Sequence, residues 1–247
     1  MKKIAYIPAR SGSKRFPNKN ITDLNGKPLI FWTVNSFLLS KCFDRIIFSS
    51  DSEEYYEILK KHISSDLIEF HQRSKSEAGD KIKIFDYVKE NINKWCDSND
   101  LFVLGLPTCP FRKPFQIKEC IDKAIKSGKS VFSASEYDFH VPFAFSVVHD
   151  NNEISDWDSP FKNSPLLTGN TRSQDQIKYF HPNGAIYVIR PNLISKETKT
   201  FYENSIPYIM PTNDSIDIDD RKDLEIAEVL IKHGIQETFF LNQEYLY

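Results

Sequence analysis

The opening fifty residues of this 247-residue chain read as strand, cationic loop, helix and strand in immediate succession. That order restricts the fold to an α/β sheet built on parallel pairing. Ile4-Ala5-Tyr6-Ile7 is an apolar β-type run stopped at Pro8. Lys27 to Leu39 carries apolar residues at three-four spacing with Pro28 near its first turn and reads as a helix, and Phe43 to Asp51 reads as a buried strand ending in polar residues. Between the first strand and this helix lie Ala9 to Asn20, with the cations Arg10, Lys14, Arg15 and Lys19. Ser11, Gly12 and Ser13 let backbone N–H groups approach an anion closely, and the cations can neutralise a triphosphate. The same stretch also reads as a solvated basic loop after an edge strand.

The alternation continues. Glu53 to Ile63 reads as a helix, Asp66 to Phe70 as a short strand, and Lys81 to Trp95 as a helix with Ile84, Val88 and Ile92 on one face. Leu101 to Leu104 is a strand, Gln116 to Ser127 a helix ended by Gly128, and Ser130 to Ser135 a further strand. Short apolar strands alternating with helices predict a mainly parallel, Rossmann-like sheet covered by helices on both faces, with ligands at the carboxyl ends of the strands. Gly12 stands alone with no acidic ribose-binding residue at the usual distance, so a dinucleotide site is disfavoured. Phe143 to Ile154 then alternates like an antiparallel ribbon, and Ser155 to Thr171 shows no helical period. The expectation is one domain, 1–247, with a small antiparallel excursion at about 137–180 used for dimer contact or for lining a sugar site.

The formal net charge of −2 favours neither nucleic acid nor a membrane surface, so the basic loop points to a small anion as partner. Cys42, Cys96, Cys109 and Cys120 show no C-x-x-C spacing, which argues against a zinc knuckle or a redox pair and fits reduced thiols. No charged-then-apolar leader and no run of membrane-span length is apparent, so the expected location is cytoplasmic.

Ser215-Ile216-Asp217-Ile218-Asp219-Asp220 is the second informative stretch. Read as a strand, it points Asp217 and Asp219 to one face and Ile216 and Ile218 into the core, which makes a hard-oxygen site for Mg²⁺. Read as a helix start, Asp219 or Asp220 caps a helix from Arg221 to His233. Both can hold.

Ala9-Arg10-Ser11-Gly12-Ser13-Lys14, followed by Pro17, Lys19 and Asn20, resembles the A-R-G-G-S-K-x-x-P-x-K-N signature of the CMP-sialic acid synthetase family, the acylneuraminate cytidylyltransferases and their relatives. It departs at Ser11, where that family has a second glycine. Further resemblances follow in order. Leu106-Pro107-Thr108-Cys109-Pro110-Phe111-Arg112 is similar to Q-P-T-S-P-L-R, with Leu106 in place of a glutamine associated with the sugar end of the site. Arg172-Ser173-Gln174-Asp175 resembles the R-S-Q-D of relatives that activate pseudaminic acid. His181-Pro182-Asn183-Gly184-Ala185-Ile186-Tyr187 resembles the R-P-N-G-A-I-Y of sialic and legionaminic acid synthetases, with His181 in place of an arginine. Ala144 falls where sialic acid enzymes carry a lysine. Phe201-Tyr202 stands at an aromatic pair that one subunit offers to its partner's sugar, and the S-x-D-I-D of the acidic stretch also matches.

The resemblance implies a nucleotidyltransferase, a homodimer, that joins CMP from CTP to the anomeric hydroxyl of a 2-keto sugar acid for bacterial surface glycans. Ala9, Arg10, Ser13, Lys14, Lys19, Asn20 and Arg73 would bind the nucleotide, with Arg73 just after the third strand and Ser76 to Asp80 a loop closing over base and ribose. Arg73 also reads as a surface arginine pairing with Glu69 or Glu77. Lys19, Arg10 and Asp217 are the implied catalytic residues, and Asp217 and Asp219 the ligands of Mg²⁺. Leu106, Arg172, His181, Asn183, Tyr187, Phe201 and Tyr202 are the implied sugar-binding residues, with Arg172 set to fork onto the sugar carboxylate. The departures at Leu106, Ala144 and His181 point away from plain N-acetylneuraminate. A sugar-phosphate pyrophosphorylase, a glycosyltransferase using Asp217-Ile218-Asp219, and a non-catalytic nucleotide-binding subunit are the alternatives.

Overall fold

The computed structural model describes residues 1–236. Its strands are β1 (Lys3–Pro8), β2 (Asp23–Leu24), β3 (Lys27–Pro28), β4 (Arg45–Ser50), β5 (Ile68–Gln72), β6 (Leu101–Leu104), β7 (Ser130–Glu136), β8 (Ser146–Asp150), β9 (Glu153–Asp158), β10 (Phe180–Ile189) and β11 (Ser205–Ile209). Its helices are α1 (Leu29–Leu39), α2 (Glu53–Lys60), α3 (Ile84–Asn91), α4 (Pro114–Ser127), α5 (Pro165–Thr168) and α6 (Arg221–Lys232). Contacts divide the chain into two compact units, one of residues 1–134 with 182 onward and one of Ser135–His181.

In the first unit a seven-stranded sheet runs β11-β7-β10-β6-β1-β4-β5. β1 pairs parallel with β4 and β6, β4 with β5, and β11 with β7, while β10 runs antiparallel to β6. The mainly parallel expectation therefore holds, with β10 as the strand that breaks it. β1 and β6 are apolar on consecutive positions because helices cover both faces: Ile4, Tyr6, Phe102 and Leu104 fall in one core cluster, Ala5, Ile7, Leu101 and Val103 in the other.

α1 is buried along nearly its whole length, starting directly after Pro28, with the Trp32 indole donating to the Leu24 carbonyl. It lies close under the carboxyl end of β6. A Cβ at Gly105 would come within 2.5 Å of the Phe37 ring, so only glycine lets the chain leave β6 at this point. α4 ends at Gly128 in the left-handed conformation, as its sequence pattern predicts.

The acidic stretch differs from one of its readings. Ile216–Asp219 is not a strand; it is an extended link between a 3-10 turn, Thr212–Ser215, and α6. Its one sheet-like bond runs from the Ile218 N–H to the Thr108 carbonyl, 2.8 Å, because the neighbour it meets is a loop rather than a strand edge. Side-chain alternation survives, with Ile218 fully buried and Ile216 packed on the core. Asp220 caps α6, accepting from the N–H groups of Lys222 and Asp223.

The second unit contains an antiparallel hairpin, β8 and β9, turning through Asn151 and Asn152, both at positive φ as a tight hairpin turn requires. Phe139, Phe145, Val147, Val148, Ile154 and Trp157 are all exposed there.

Candidate active site

Pro8 ends β1, and the backbone continues along β4 for one more bond, Ala9 N–H to Ser49 carbonyl at 2.8 Å, before turning away. The turn is held from two sides. The Asn20 side-chain amide, buried, donates to the Arg10 carbonyl at 2.9 Å. Asp51, at the end of β4, accepts from both the Ser11 N–H and hydroxyl at 2.8 and 2.7 Å. These bonds give the loop a fixed path, and its cations project into a cleft of about 520 Å³ at the carboxyl ends of β1, β5 and β6.

Each of the four loop cations meets a carboxylate. Arg10 and Lys14 reach Asp80 at 2.9 and 2.7 Å; Lys19 and Arg15 reach Asp219 at 2.9 and 2.6 Å. Lys19 is 9% exposed, so its ammonium is held between the loop and the acidic link rather than in solvent. Asp217 also faces the cleft. Loss of hydration among the surrounding protein raises the Asp217 carboxyl above the usual carboxylate range; Thr108 and Lys19 act downward, and the Asp219 charge adds to the rise. Asp219 moves the other way: burial works upward, but the hydrogen bond and charge of Lys19, with Arg15 behind them, leave it lowered.

Arg73 follows β5 and is 5% exposed, so it is not a surface arginine paired with Glu69 or Glu77. It donates to the Ser49 carbonyl at 3.3 Å and stacks on Tyr87 at 5.6 Å, while its Nε has no hydrogen-bond partner. It lines the cleft, as do Ile82, Ile84, Tyr87, Leu106 and Pro107, which form an apolar stretch of its wall. Leu106 is set by its backbone: the Thr33 hydroxyl, at 3.3 Å, and the Arg112 guanidinium both donate to its carbonyl. Gly184, at φ +75°, leaves room for it, since a Cβ there would stand 3.1 Å from the leucine methyl. Arg112 is fully buried beneath this loop, where desolvation brings its pKa down to about 10.

Of the residues singled out by sequence, Arg10, Ser13, Lys14, Lys19, Asn20, Arg73, Leu106, Asp217 and Asp219 line one cleft. Ala9 does not; it is fully buried behind it. Asn183 is a core residue: its amide oxygen accepts from Ser133 at 2.6 Å and the Ala185 N–H at 3.2 Å, and its nitrogen donates to Ser215 at 2.8 Å and to the Met210 sulfur at 3.5 Å. With both ends committed, it has nothing left to offer a sugar. Tyr187 is buried with its hydroxyl 3.4 Å from that of Tyr202, and Phe201 packs edge-on against Phe85 at 4.8 Å. Tyr202 is partly exposed. Arg172 and His181 belong to the second unit, where Arg172 is exposed beside Asp175 and the His181 Nε2 lies 3.3 Å from the Ser135 hydroxyl. Asp80, Arg15, Thr108 and Tyr87 also line the cleft. Arg15 was visible as one of the loop cations; Asp80 was legible only as the end of the Ser76 to Asp80 loop that the resemblance sets over base and ribose, not as the partner of Arg10 and Lys14.

A seven-stranded, mainly parallel sheet with a cationic loop and two carboxylates at its carboxyl edge defines a nucleotidyltransferase. A family described as Cytidylyltransferase matches residues 4–244, and the chain belongs to it. The chain is 33% identical to a pseudaminic acid cytidylyltransferase of Campylobacter jejuni over 97% of its own length and all of that protein's. It is 33% identical to an N-acylneuraminate cytidylyltransferase of Streptococcus agalactiae over 96% of its length and 55% of that protein's. It is 31% identical to a CMP-N,N'-diacetyllegionaminic acid synthase of Legionella pneumophila over the whole of both chains. Among solved structures, a CMP:2-keto-3-deoxy-manno-octonic acid synthetase complexed with CTP shares the fold, with a TM-score of 0.67 at 16% identity over 95% of this chain and all of that one. Among the described residues no helix is long and apolar enough to cross a membrane.

Proposed function

We propose that this cytidylyltransferase transfers CMP from CTP to the anomeric hydroxyl of a nonulosonic acid and releases pyrophosphate. The observation that carries the reading is the meeting of Lys19 with Asp219, beside Asp217, in the cleft that also holds Arg10 and Lys14. The relatives named for pseudaminic, N-acylneuraminic and legionaminic acids support the acceptor class. Within it, Leu106 in the cleft wall argues against plain N-acetylneuraminate, because a leucine cannot pair with a hydroxyl.

Transfer needs the hydroxyl in line with the α-phosphorus and the leaving pyrophosphate, and fixed cations where negative charge grows. Arg10, Lys14 and Lys19 hold the phosphate chain, with Lys19 nearest the α-phosphate. Asp217, which faces the cleft, takes the hydroxyl proton. Asn20 and Arg73, which line the cleft, contact the nucleoside.

The residues present fit Mg²⁺. Asp217 and Asp219 are hard-oxygen groups that both face the cleft, and one or two carboxylates beside substrate phosphates are the donors Mg²⁺ ordinarily takes. Asp217 and Asp219 would hold the ion, and when bound it supplies positive charge at the phosphates. The enzyme works as a homodimer, supported by the exposed apolar hairpin of the second unit, and in the cytoplasm, supported by the free thiols of Cys42, Cys96, Cys109 and Cys120.

The deciding measurement is pyrophosphate release from each of four NTPs against sialic, legionaminic, pseudaminic and octulosonic acids. Release with CTP and a nine-carbon acid is expected; release only with another NTP, or with no acid at all, overturns the reading.

A further inference from the structure

The loop Ser74–Ile82 is tied to itself before it reaches the cleft. Glu77 accepts from the Ser74 N–H and hydroxyl at 2.8 and 2.7 Å, Ala78 N–H donates to the Ser74 carbonyl at 3.1 Å, and Ile82 N–H donates to the Gly79 carbonyl at 3.0 Å. Ala78 is buried, which anchors the turn. Asp80 is therefore carried on a braced loop, and its two oxygens go to two different cations, Oδ1 to Arg10 at 2.9 Å and Oδ2 to Lys14 at 2.7 Å. A bridging carboxylate in that place presents to the cations the geometry that two non-bridging phosphate oxygens would present.

We propose that Asp80 is an internal competitor of the phosphate chain and a specificity-determining residue for it. This rests on the reading of Arg10 and Lys14 as triphosphate-binding cations. An anion that uses them must displace Asp80, and one that does not reach them is unaffected. A triphosphate or pyrophosphate, with several charges, displaces the carboxylate; a single phosphate held by Lys19 leaves it in place. The same competition loosens pyrophosphate after transfer, since Asp80 can return to both cations as the product departs. The Lys14 ammonium, by its hydrogen bond, lowers the Asp80 carboxyl below its usual range, so the competitor stays ionised across the working pH. Asp219 cannot be assigned this part on its own pair of cations, because it is also placed to hold a metal.

The test is calorimetric binding of inorganic pyrophosphate and of CMP to the full chain, wild type, Asp80→Asn and Asp80→Glu, without acceptor. In Asp80→Asn pyrophosphate is expected to bind about tenfold tighter, equivalent to about 1.4 kcal/mol, and CMP within about twofold of wild type. Asp80→Glu, which keeps the anion, should restore wild-type pyrophosphate binding. Steady-state inhibition by pyrophosphate should rise by a similar factor in Asp80→Asn. Unchanged or weaker pyrophosphate binding in Asp80→Asn overturns the proposal; the weaker result would mean that Asp80 aims the cations at phosphate instead of competing with it. Equal tightening of CMP overturns the selectivity. A folded Asp80→Asn, checked by circular dichroism, is expected, since the side chain is partly exposed and outside both core clusters. Absence of CTP-dependent turnover with every sugar acid would sink the functional reading while leaving these binding differences to stand or fall separately.

Discussion

The two compact units invert the usual distribution of side chains in opposite senses. The first buries polar groups: Lys19, Asn20, Arg73, Arg112, Asn183 and Asp214 are all below a tenth exposed. The second exposes apolar ones, with Phe139 and Ile154 about 70% accessible. Buried polar groups are costly unless paired, so each marks either a strut or a group aimed at a ligand. Exposed apolar side chains on a hairpin mark a surface that water covers at a cost and that another protein surface would cover at a gain. The difference teaches where the molecule is complete: the first unit closes its own core around a polar cleft, whereas the second leaves apolar side chains exposed.

If that contrast is right, damage to the first unit's polar groups should change chemistry or stability, and damage to the second unit's apolar groups should change association. Lys19→Ala is expected to give the largest effect, a loss of about a thousandfold or more in kcat with a folded enzyme, because removal of a fixed cation at a transferring phosphate costs about 3–4 kcal/mol or more of barrier. Steady-state kinetics beside a thermal melt checks it, and near-wild-type turnover would remove Lys19 from the reaction. Next, Val147→Asp combined with Ile154→Asp should raise the dimer dissociation constant by at least about a hundredfold. Burying each side chain is worth about 1.5–3 kcal/mol, and each is present twice in a symmetric pair. Sedimentation velocity across a dilution series reads this out, and a monomeric wild type would end the association argument directly.

Asn183 tests the strut half of the contrast. Asn183→Ala is expected to cost about 2–4 kcal/mol in urea unfolding, since it removes the acceptor of the Ser133 hydroxyl and of the Ala185 N–H and one of the partners of Ser215. The sequence resemblance named Asn183 for the sugar, but it sits inside β10; its role as a strut was not legible, because the partners come from β7 and from the turn before Ile216, far apart in the chain. The same reason explains what else was hidden. The alternating strands and helices, the basic loop and the aspartate pair are local patterns, and locality made them readable. The meeting of Lys19 with Asp219 spans two hundred residues and rested on resemblance to a family rather than on spacing. Asp80 follows no period at all, and its importance arises only from which cations stand opposite. The link at Ile216–Asp219 alternates like a strand yet lacks a strand to pair with, so pattern alone over-assigned it.

The smallest expected effect separates a strut from a functional group most cleanly. Asp217 has a folded pKa above its ordinary value, chiefly from desolvation, so its ionised form costs stability at neutral pH. The sign follows from proton binding: between the ordinary and the raised pKa the folded state holds more protons than the unfolded state, so this group's contribution improves as pH falls and worsens as pH rises through that window. In Mg²⁺-free buffer, Asp217→Asn should therefore raise the melting midpoint at pH 7, and the gain should shrink as the pH drops towards the ordinary carboxylate value. Turnover should fall at every pH, because the amide cannot take the hydroxyl proton. Asn183→Ala should show the opposite pairing, with stability lost at all pH values and kcat much less affected than in Lys19→Ala. A loss of stability in Asp217→Asn at pH 7 would place Asp217 among the struts, and unchanged turnover would leave the cleft without its base.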